Sequence, residues 1–128
     1  MDGKEYRERY TKEKHIQRFL CEWLEYTRWK YFAVPNGQYR RGQRPEAGMQ
    51  SGVPDLMIPE PTTDWAGLFI ELKTPGNYPR KEQREWLQAL KDRGYATVVC
   101  RSVDEGQHKI RAYMNEELHE EDQWPAIR

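Results

Sequence analysis

Two short apolar segments carry charged residues that could perform acid–base or metal chemistry. They are residues 52–58 (GVPDLMI) and residues 67–74 (GLFIELKT). Each has the length of a buried strand and is bounded by proline, glycine and polar residues. Because side chains alternate along a strand, Glu71 and Lys73 must lie on the same face of the second segment. Burying a carboxylate and an ammonium there is costly unless they are paired or bind something.

A divalent metal ion would account for this arrangement. Asp55 starts the first segment, so pairing of the two segments as adjacent strands would bring a second carboxylate close to Glu71. Mg²⁺ prefers oxygen ligands, takes one or two carboxylates and keeps several waters. Such ions also often share a phosphate with their substrate. We therefore predict that Asp55 and Glu71 are metal ligands and that Lys73 touches a metal-bound water or that phosphate.

These segments resemble the signature of a nuclease superfamily. The pair PD at 54–55, followed by ELK at 71–73 after an apolar strand, is similar to the PD-(D/E)XK pattern. The run GVPD at 52–55, together with the later Gln83, resembles the VRR-NUC branch of that superfamily. The resemblance covers about residues 13–114. An ExK triplet alone is frequent by chance, whereas the combination of these features is specific.

The resemblance implies an α/β fold with a restriction-endonuclease-like core, in which a mixed central β-sheet is flanked by helices. It also implies a DNA nuclease that uses Mg²⁺ or Mn²⁺ and no small-molecule cofactor, with the Leu72 backbone carbonyl as a further ligand. Gln83 would orient the attacking water or the phosphate. Glu13, in the pattern ExxIQ at 13–17, would reach the metal directly or through water. Branched DNA such as a four-way junction is the expected substrate, and its two equivalent strands favour a homodimer.

Two of these assignments have simpler alternatives. Glu13 lies in the first turns of a predicted helix, where a surface acid is favoured by the helix dipole. Gln83 could be an ordinary polar residue near a helix start. The predicted elements, in chain order, are a helix from near Thr11, a strand over 31–34, a long loop over 38–51, the two strands above, a helix over 79–93, a central strand over 95–100 and a helix from Ser102 to about Met114.

Basic residues without intervening acids cluster between residues 28 and 44. The long loop in this region is polar and rich in glycine, and long loops in compact domains are usually functional or disordered. Arginine pairs with phosphate and tyrosine stacks on bases. A solvated surface is the alternative to nucleic-acid binding. The residues predicted to contact nucleic acid are Tyr39, Arg40, Arg41 and Arg44 in the loop, and Lys81 and Arg84 on the following helix.

Composition restricts the remaining possibilities. The 128 residues are enough for one domain with one core, and the net charge of +0 gives no global attraction for a polyanion. Residues 1–10 are predicted to be flexible, 11–114 to form the VRR-NUC domain and 115–128 to form an acidic tail. No segment has the roughly 20 apolar residues of a membrane span. Cys21 and Cys100 lack metal-ligand spacing and are predicted to be buried thiols, so we expect a cytoplasmic protein.

Two other functional classes use the same residues. An inactive nucleic-acid-binding module would keep the fold, although it would not need Asp55, Glu71, Lys73 and Gln83 together. A structural or adaptor domain would use Glu71 and Lys73 as an ion pair on an edge strand that discourages aggregation. The sequence does not determine the preferred DNA structure, endonuclease or exonuclease action, the number of metals, the oligomeric state or the pathway.

Overall fold

The computed structural model describes residues 2–35 and 47–125, and within them every predicted helix and strand is present. Of the strand predicted over residues 52–58, only Leu56–Ile58 forms a strand, because Gly52 has a positive φ and Pro54 has no N–H to donate. The strands are β1 (Phe32–Ala33), β2 (Leu56–Ile58), β3 (Leu68–Leu72) and β4 (Ala96–Cys100). The helices are α1 (Gly3–Thr27), α2 (Lys81–Asp92) and α3 (Val103–Met114), followed by a 3₁₀ turn (Glu120–Asp122).

The four strands form one mixed sheet in the order β1-β2-β3-β4. Strand β2 is antiparallel to β1 and β3, with Leu56 opposite Ile70, whereas β3 and β4 are parallel, with Leu72 opposite Cys100. The start of β2 and the ends of β3 and β4 therefore meet at one end of the sheet, which we call the carboxylate end because Asp55 directly precedes β2 and Glu71 lies near the end of β3. The α/β class with a mixed sheet flanked by helices is confirmed.

The two faces of the sheet are covered by different helices. On one face of β3, Leu68, Ile70 and Leu72 are buried. They belong to one cluster with Leu20 of α1 and Tyr113 of α3. The opposite face, which carries Glu71, is covered by α2, whose Leu87 is fully buried. Full burial of each large aliphatic side chain stabilises the fold by about 1.5–3 kcal/mol. Glu71 is thus held between two well-packed layers.

Helix α1 begins at Gly3, so the predicted start near Thr11 is wrong. The Asp2 side chain accepts a hydrogen bond from Glu5 N at 2.8 Å and caps the helix. The apolar stripe that marks the helix in the sequence starts only at Ile16. Hydrophobic periodicity therefore could not reveal the earlier turns, which are polar.

Strand β4 lies at one edge of the described sheet, so its predicted central position is wrong. All of its residues are nevertheless buried, because the C-terminal segment 119–125 lies along its outer side. Trp124 N donates to Thr97 O at 2.9 Å, and Thr97 N donates to Gln123 Oε1 at 3.1 Å. Lys91 of α2 donates to Pro125 O at 2.7 Å. The segment, which we call the strap, therefore docks on the domain itself.

The two cysteines lie in different environments. Cys100 is fully buried in the core, and burial raises the pKa of its thiol to about 12. Cys21 on α1 is only partly buried, and both thiols are free. The prediction of a buried thiol is therefore confirmed for Cys100 and wrong for Cys21.

Candidate active site

Asp55 is fixed at the carboxylate end of the sheet by two hydrogen bonds that it accepts from backbone N–H groups of neighbouring segments. It directly precedes β2, and because β2 runs antiparallel to β3, it lies beside the end of β3. Asp55 Oδ2 accepts a hydrogen bond from Leu72 N at 2.7 Å, and Asp55 O accepts one from Val34 N at 2.8 Å. The carboxylate is partly buried. One of its oxygens is thus oriented by the strand that carries Glu71.

Glu71 is a buried carboxylate with one satisfied oxygen. Its side chain is only 1% exposed, and its Oε1 accepts a hydrogen bond from Gln83 Nε2 at 2.9 Å. Its Oε2 is buried and has no hydrogen-bond partner within residues 2–35 and 47–125. An unpaired buried carboxylate oxygen is costly, so its presence indicates a binding position for a cation or a proton.

Four further charges act on Glu71. Burial raises the pKa of the Glu71 carboxyl well above its usual value, and the negative charge of Asp55 raises it further. The ammonium of Lys73 lowers this pKa, Glu13 raises it and Arg80 lowers it, in decreasing order of effect. The structure therefore brings Glu13 of α1 into electrostatic range of the other predicted residues. Arg80, at the N-cap of α2, is a charge near the site that sequence reasoning missed.

Lys73 lies one residue beyond the end of β3 and is only 7% exposed. Its N–H donates to Cys100 O at 3.0 Å, which continues the pairing of β3 with β4. The alternation of the strand therefore extends to Lys73 and directs it to the same side as Glu71, as the sequence predicts. The structure thus holds an ammonium and two carboxylates at the carboxylate end of the sheet.

Gln83 is held at both ends of its amide. It is the third residue of α2, its Oε1 accepts a hydrogen bond from Arg80 N at 2.7 Å, and its Nε2 donates to Glu71. These two bonds fix which end of the amide faces the carboxylate. The interpretation that Gln83 points toward the end of β3 is confirmed, whereas its role toward water or phosphate stays a prediction.

Gly52 positions α2, a role that sequence reasoning missed. Its φ is +90°, and a Cβ atom at this position would lie 2.7 Å from the backbone carbon of Glu82. The chain before Asp55 therefore packs directly against the first turn of α2, next to Gln83. The GVPD run marks Gly52 in the sequence, but only the tertiary contact explains why a side chain is excluded there.

The donor set fits a hard divalent cation. The site offers the carboxylates of Asp55 and Glu71, and Oε2 of Glu71 is a buried acceptor without a donor among the described residues, whereas the Leu72 carbonyl as a ligand stays a prediction. Across the described ranges, no group of three or more histidine, cysteine or acidic residues could hold a metal. Zinc usually needs three or four such ligands, whereas Mg²⁺ is bound by one or two carboxylates and completes its shell with water.

Comparison with known proteins identifies the family and the fold of the chain. The family model of the VRR-NUC domain matches residues 4–104. The chain belongs to the VRR-NUC domain family. It is similar to a solved VRR_NUC domain protein with 26% identity and a TM-score of 0.60, over 80% of this chain and 88% of that one. A second solved structure, a VRR_NUC domain, is 22% identical with a TM-score of 0.55, over 80% and 97% of the two chains, and shows the same fold.

The chain is thus a member of a nuclease family, with a sheet and helices consistent with a restriction-endonuclease-like core. No curated protein sequence matches it. No helix in the described part is long and apolar enough to cross a membrane. Strand β3 lies between β2 and β4, so the hypothesis of an edge-strand ion pair between Glu71 and Lys73 is wrong.

The residues predicted to contact nucleic acid fall into two groups in this VRR-NUC chain. Lys81 and Arg84 are exposed on the first turn of α2, and Arg84 Nη1 donates to Pro79 O at 2.8 Å. Their predicted phosphate contacts stay a prediction. The remaining four, Tyr39, Arg40, Arg41 and Arg44, lie outside the described residues.

The raised pKa of Glu71 predicts a pH-dependent stability of the metal-free protein. An acid whose pKa is higher in the folded than in the unfolded state contributes stability below its unfolded pKa, ~4.3 for glutamate, and loses it as pH rises through the folded pKa. In chelator, we expect Glu71→Gln to be more stable than wild type by about 1–3 kcal/mol at pH 8, with the advantage disappearing near pH 4. Urea unfolding at several pH values measures this difference.

A matched control for this experiment is Glu85→Gln, the same chemical change at an exposed position of α2. We expect this variant to follow the wild-type stability at every pH. A stability gap for Glu71→Gln that stays constant between pH 4 and pH 8 would contradict the assignment of Glu71 as a carboxyl with a raised pKa.

Proposed function

We propose that the protein is a Mg²⁺- or Mn²⁺-dependent DNA nuclease that hydrolyses phosphodiester bonds. One observation supports this most directly: Oε2 of Glu71 is buried, has no hydrogen-bond partner in the described part of the chain, and lies in a site that also holds Asp55 and Lys73. Two carboxylates alone would repel each other. A divalent cation relieves that repulsion and provides the missing partner, and such ions often share a phosphate with the substrate.

The proposed metal ligands are the carboxylates of Asp55 and Glu71, the Leu72 carbonyl and Glu13, the last directly or through water. When bound, the metal would polarise the phosphoryl oxygen and acidify a water. Asp55 is oriented for this role by the hydrogen bond from Leu72 N, and Glu71 by that from Gln83 Nε2. The protein thus preorganises both carboxylates before any ligand arrives.

The other side chains act on the substrate. The ammonium of Lys73 is nearly buried on the side of β3 that carries Glu71, where it can stabilise negative charge that develops on the phosphoryl group. Gln83 is a positioning residue for Glu71 and, in this proposal, also faces the attacking water or the phosphate. Lys81 and Arg84 would add contacts to neighbouring phosphates.

Cleavage of a labelled DNA panel tests the proposal. The panel contains linear duplex, single strand, flap and four-way junction, each incubated with Mg²⁺, Mn²⁺ or chelator. We expect metal-dependent cutting with preference for branched DNA, and its loss in Asp55→Asn, which keeps an acceptor for Leu72 N. Binding without any cutting by the wild type would favour the inactive nucleic-acid-binding module instead.

Metal binding is expected to stabilise the fold. At about 100 times its dissociation constant, Mg²⁺ or Mn²⁺ adds about 2.7 kcal/mol to the free energy of unfolding, which raises the Tm of a domain of this size by about 10 °C. Thermal melting with increasing metal measures this shift. Asp55→Asn should lose most of it, whereas Asp64→Asn, at an exposed aspartate, should keep it. A Tm that ignores both metals would contradict the metal site.

The homodimer is part of the same proposal. A four-way junction has two equivalent strands to cut, and one active site of this size serves only one of them. Trp29, Tyr31 and Trp65, the aromatics with no assigned place in the sequence, pack against the core of the same chain and so do not argue for a dimer. Light scattering with and without junction DNA tests the oligomeric state. Action in replication, recombination or repair follows from the proposed substrate.

A further inference from the structure

An exposed aromatic side chain lies in the loop that joins β3 to α2, between Lys73 and Gln83. Tyr78 is 75% exposed, and the centroid of its ring lies 5.9 Å from Cζ of Arg101. Arg101 directly follows β4, whose last residue lies beside the last residue of β3 at the carboxylate end of the sheet. An aromatic face and a guanidinium are therefore presented together beside the candidate site.

The loop that carries Tyr78 is held in place by hydrogen bonds. Asn77 N donates to Thr74 O at 3.1 Å, and the Asn77 side-chain amide donates to Thr74 Oγ1. Arg101 Nη2 donates to Asn77 O at 3.0 Å, so the cation is anchored to the same loop. The backbone next to Tyr78 is therefore held in place, which lowers the conformational cost of presenting its ring to a flat ligand.

We propose that Tyr78 and Arg101 form a stacking platform for an unpaired base of the DNA strand that enters the candidate site. The inference rests on the proposed nuclease function and specifies its substrate. Aromatic side chains stack on any base because every base has a π-face, and arginine adds a cation–π contribution and pairs with phosphate. Within a duplex both faces of a base are covered by its neighbours. The platform therefore selects single strands and flaps, which carry unpaired bases, over linear duplex.

Binding of a short single-stranded oligonucleotide that contains 2-aminopurine tests the platform, in chelator so that no strand is cut. We expect Tyr78→Ala to bind about 5- to 150-fold more weakly and to lose the quenching of 2-aminopurine fluorescence. Tyr78→Phe keeps the ring and should bind within about twofold of wild type. Tyr26→Ala, at a tyrosine that is 88% exposed on α1, is the matched control and should bind like wild type.

Salt dependence separates the two members of the platform. Stacking carries no net charge, so Tyr78→Ala should keep the wild-type slope of log K against log[salt], whereas Arg101→Gln should reduce the slope by about 0.7 for one lost phosphate contact. Equal oligonucleotide affinity and quenching for wild type and Tyr78→Ala would overturn the platform. The nuclease proposal is tested separately by cleavage with Mg²⁺: it stands if the wild type cuts DNA, whatever the oligonucleotide result, and it fails if the wild type neither binds nor cuts DNA in the presence of metal.

Discussion

Replacement of Lys73 by alanine is expected to lower the single-turnover rate of metal-dependent DNA cleavage about a hundredfold, because it removes one preorganised positive charge from the carboxylate end of the sheet. The loss of one such donor corresponds to ~3 kcal/mol of transition-state stabilisation. Lys73 is nearly buried, so no neighbouring solvent screens its charge effectively. Single-turnover cleavage of the best substrate at saturating metal measures the effect.

The comparison needs two controls, because the positive charge of Lys73 also lowers the pKa of Glu71. Removing Lys73 therefore favours the protonated form of Glu71, which binds metal poorly, and calorimetric titration of Mn²⁺ must establish saturation for the variant. Lys4→Ala, at an exposed lysine of α1, should cleave like wild type. Cleavage by Lys73→Ala at the wild-type rate would remove Lys73 from the proposed chemistry.

Substitution of Gly52 by alanine is expected to destabilise the fold by about 2–5 kcal/mol. The residue has a φ of +90°, which costs a residue with a side chain about 1–2 kcal/mol. The added Cβ would also lie 2.7 Å from the backbone of Glu82, and overpacking of this kind costs about 1–3 kcal/mol more. The first turn of α2 must move to relieve the contact, which draws Gln83 away from Glu71. Urea unfolding measures the loss, and cleavage of the best substrate should fall with it.

Gly48 provides the matched control. Its φ is +87°, but a Cβ there would have no atom of the described residues within 4 Å. Gly48→Ala therefore carries the conformational cost without the collision, so it should lose only about 1–2 kcal/mol and keep normal cleavage. Equal destabilisation of the two variants would show that the contact between Gly52 and α2 has no energetic weight.

Local periodicity was sufficient to predict the relative placement of the main site residues. Alternation along β3 put Glu71 and Lys73 on one side, and helical spacing put Gln83 at the start of the buried stripe of α2. Both patterns depend only on backbone geometry, which neighbouring residues determine. The turn-rich stretch over residues 59–66 predicted that the two apolar segments pair as adjacent strands, which brings Asp55 to the end of β3, and the family resemblance supplied the mixed sheet type.

The order of the strands and the tertiary contacts could not be predicted in the same way. The β-branched residues of β4 indicate that the strand is buried. They do not indicate whether another strand or the strap covers the outer edge of β4. Residues 119–125 have no apolar periodicity, so their pairing with Thr97 left no pattern in the sequence. The electrostatic effect of Arg80 and the close contact at Gly52 depend on how α2 approaches the sheet, which no local pattern encodes.

Contacts with the domain hold two of the acidic residues of the tail, one in the strap and one just before it. Glu120 pairs with Lys91 at 3.7 Å in the last turn of α2, and Glu116 accepts a hydrogen bond from Thr63 N at 2.5 Å in the turn that precedes β3. Along α2, Lys91 is about 12 Å from Gln83 at 1.5 Å per residue, which exceeds the ~8 Å Debye length at physiological ionic strength. These two acidic residues are thus held at the far end of the domain, where salt would screen them from the DNA that we propose to bind at Lys73.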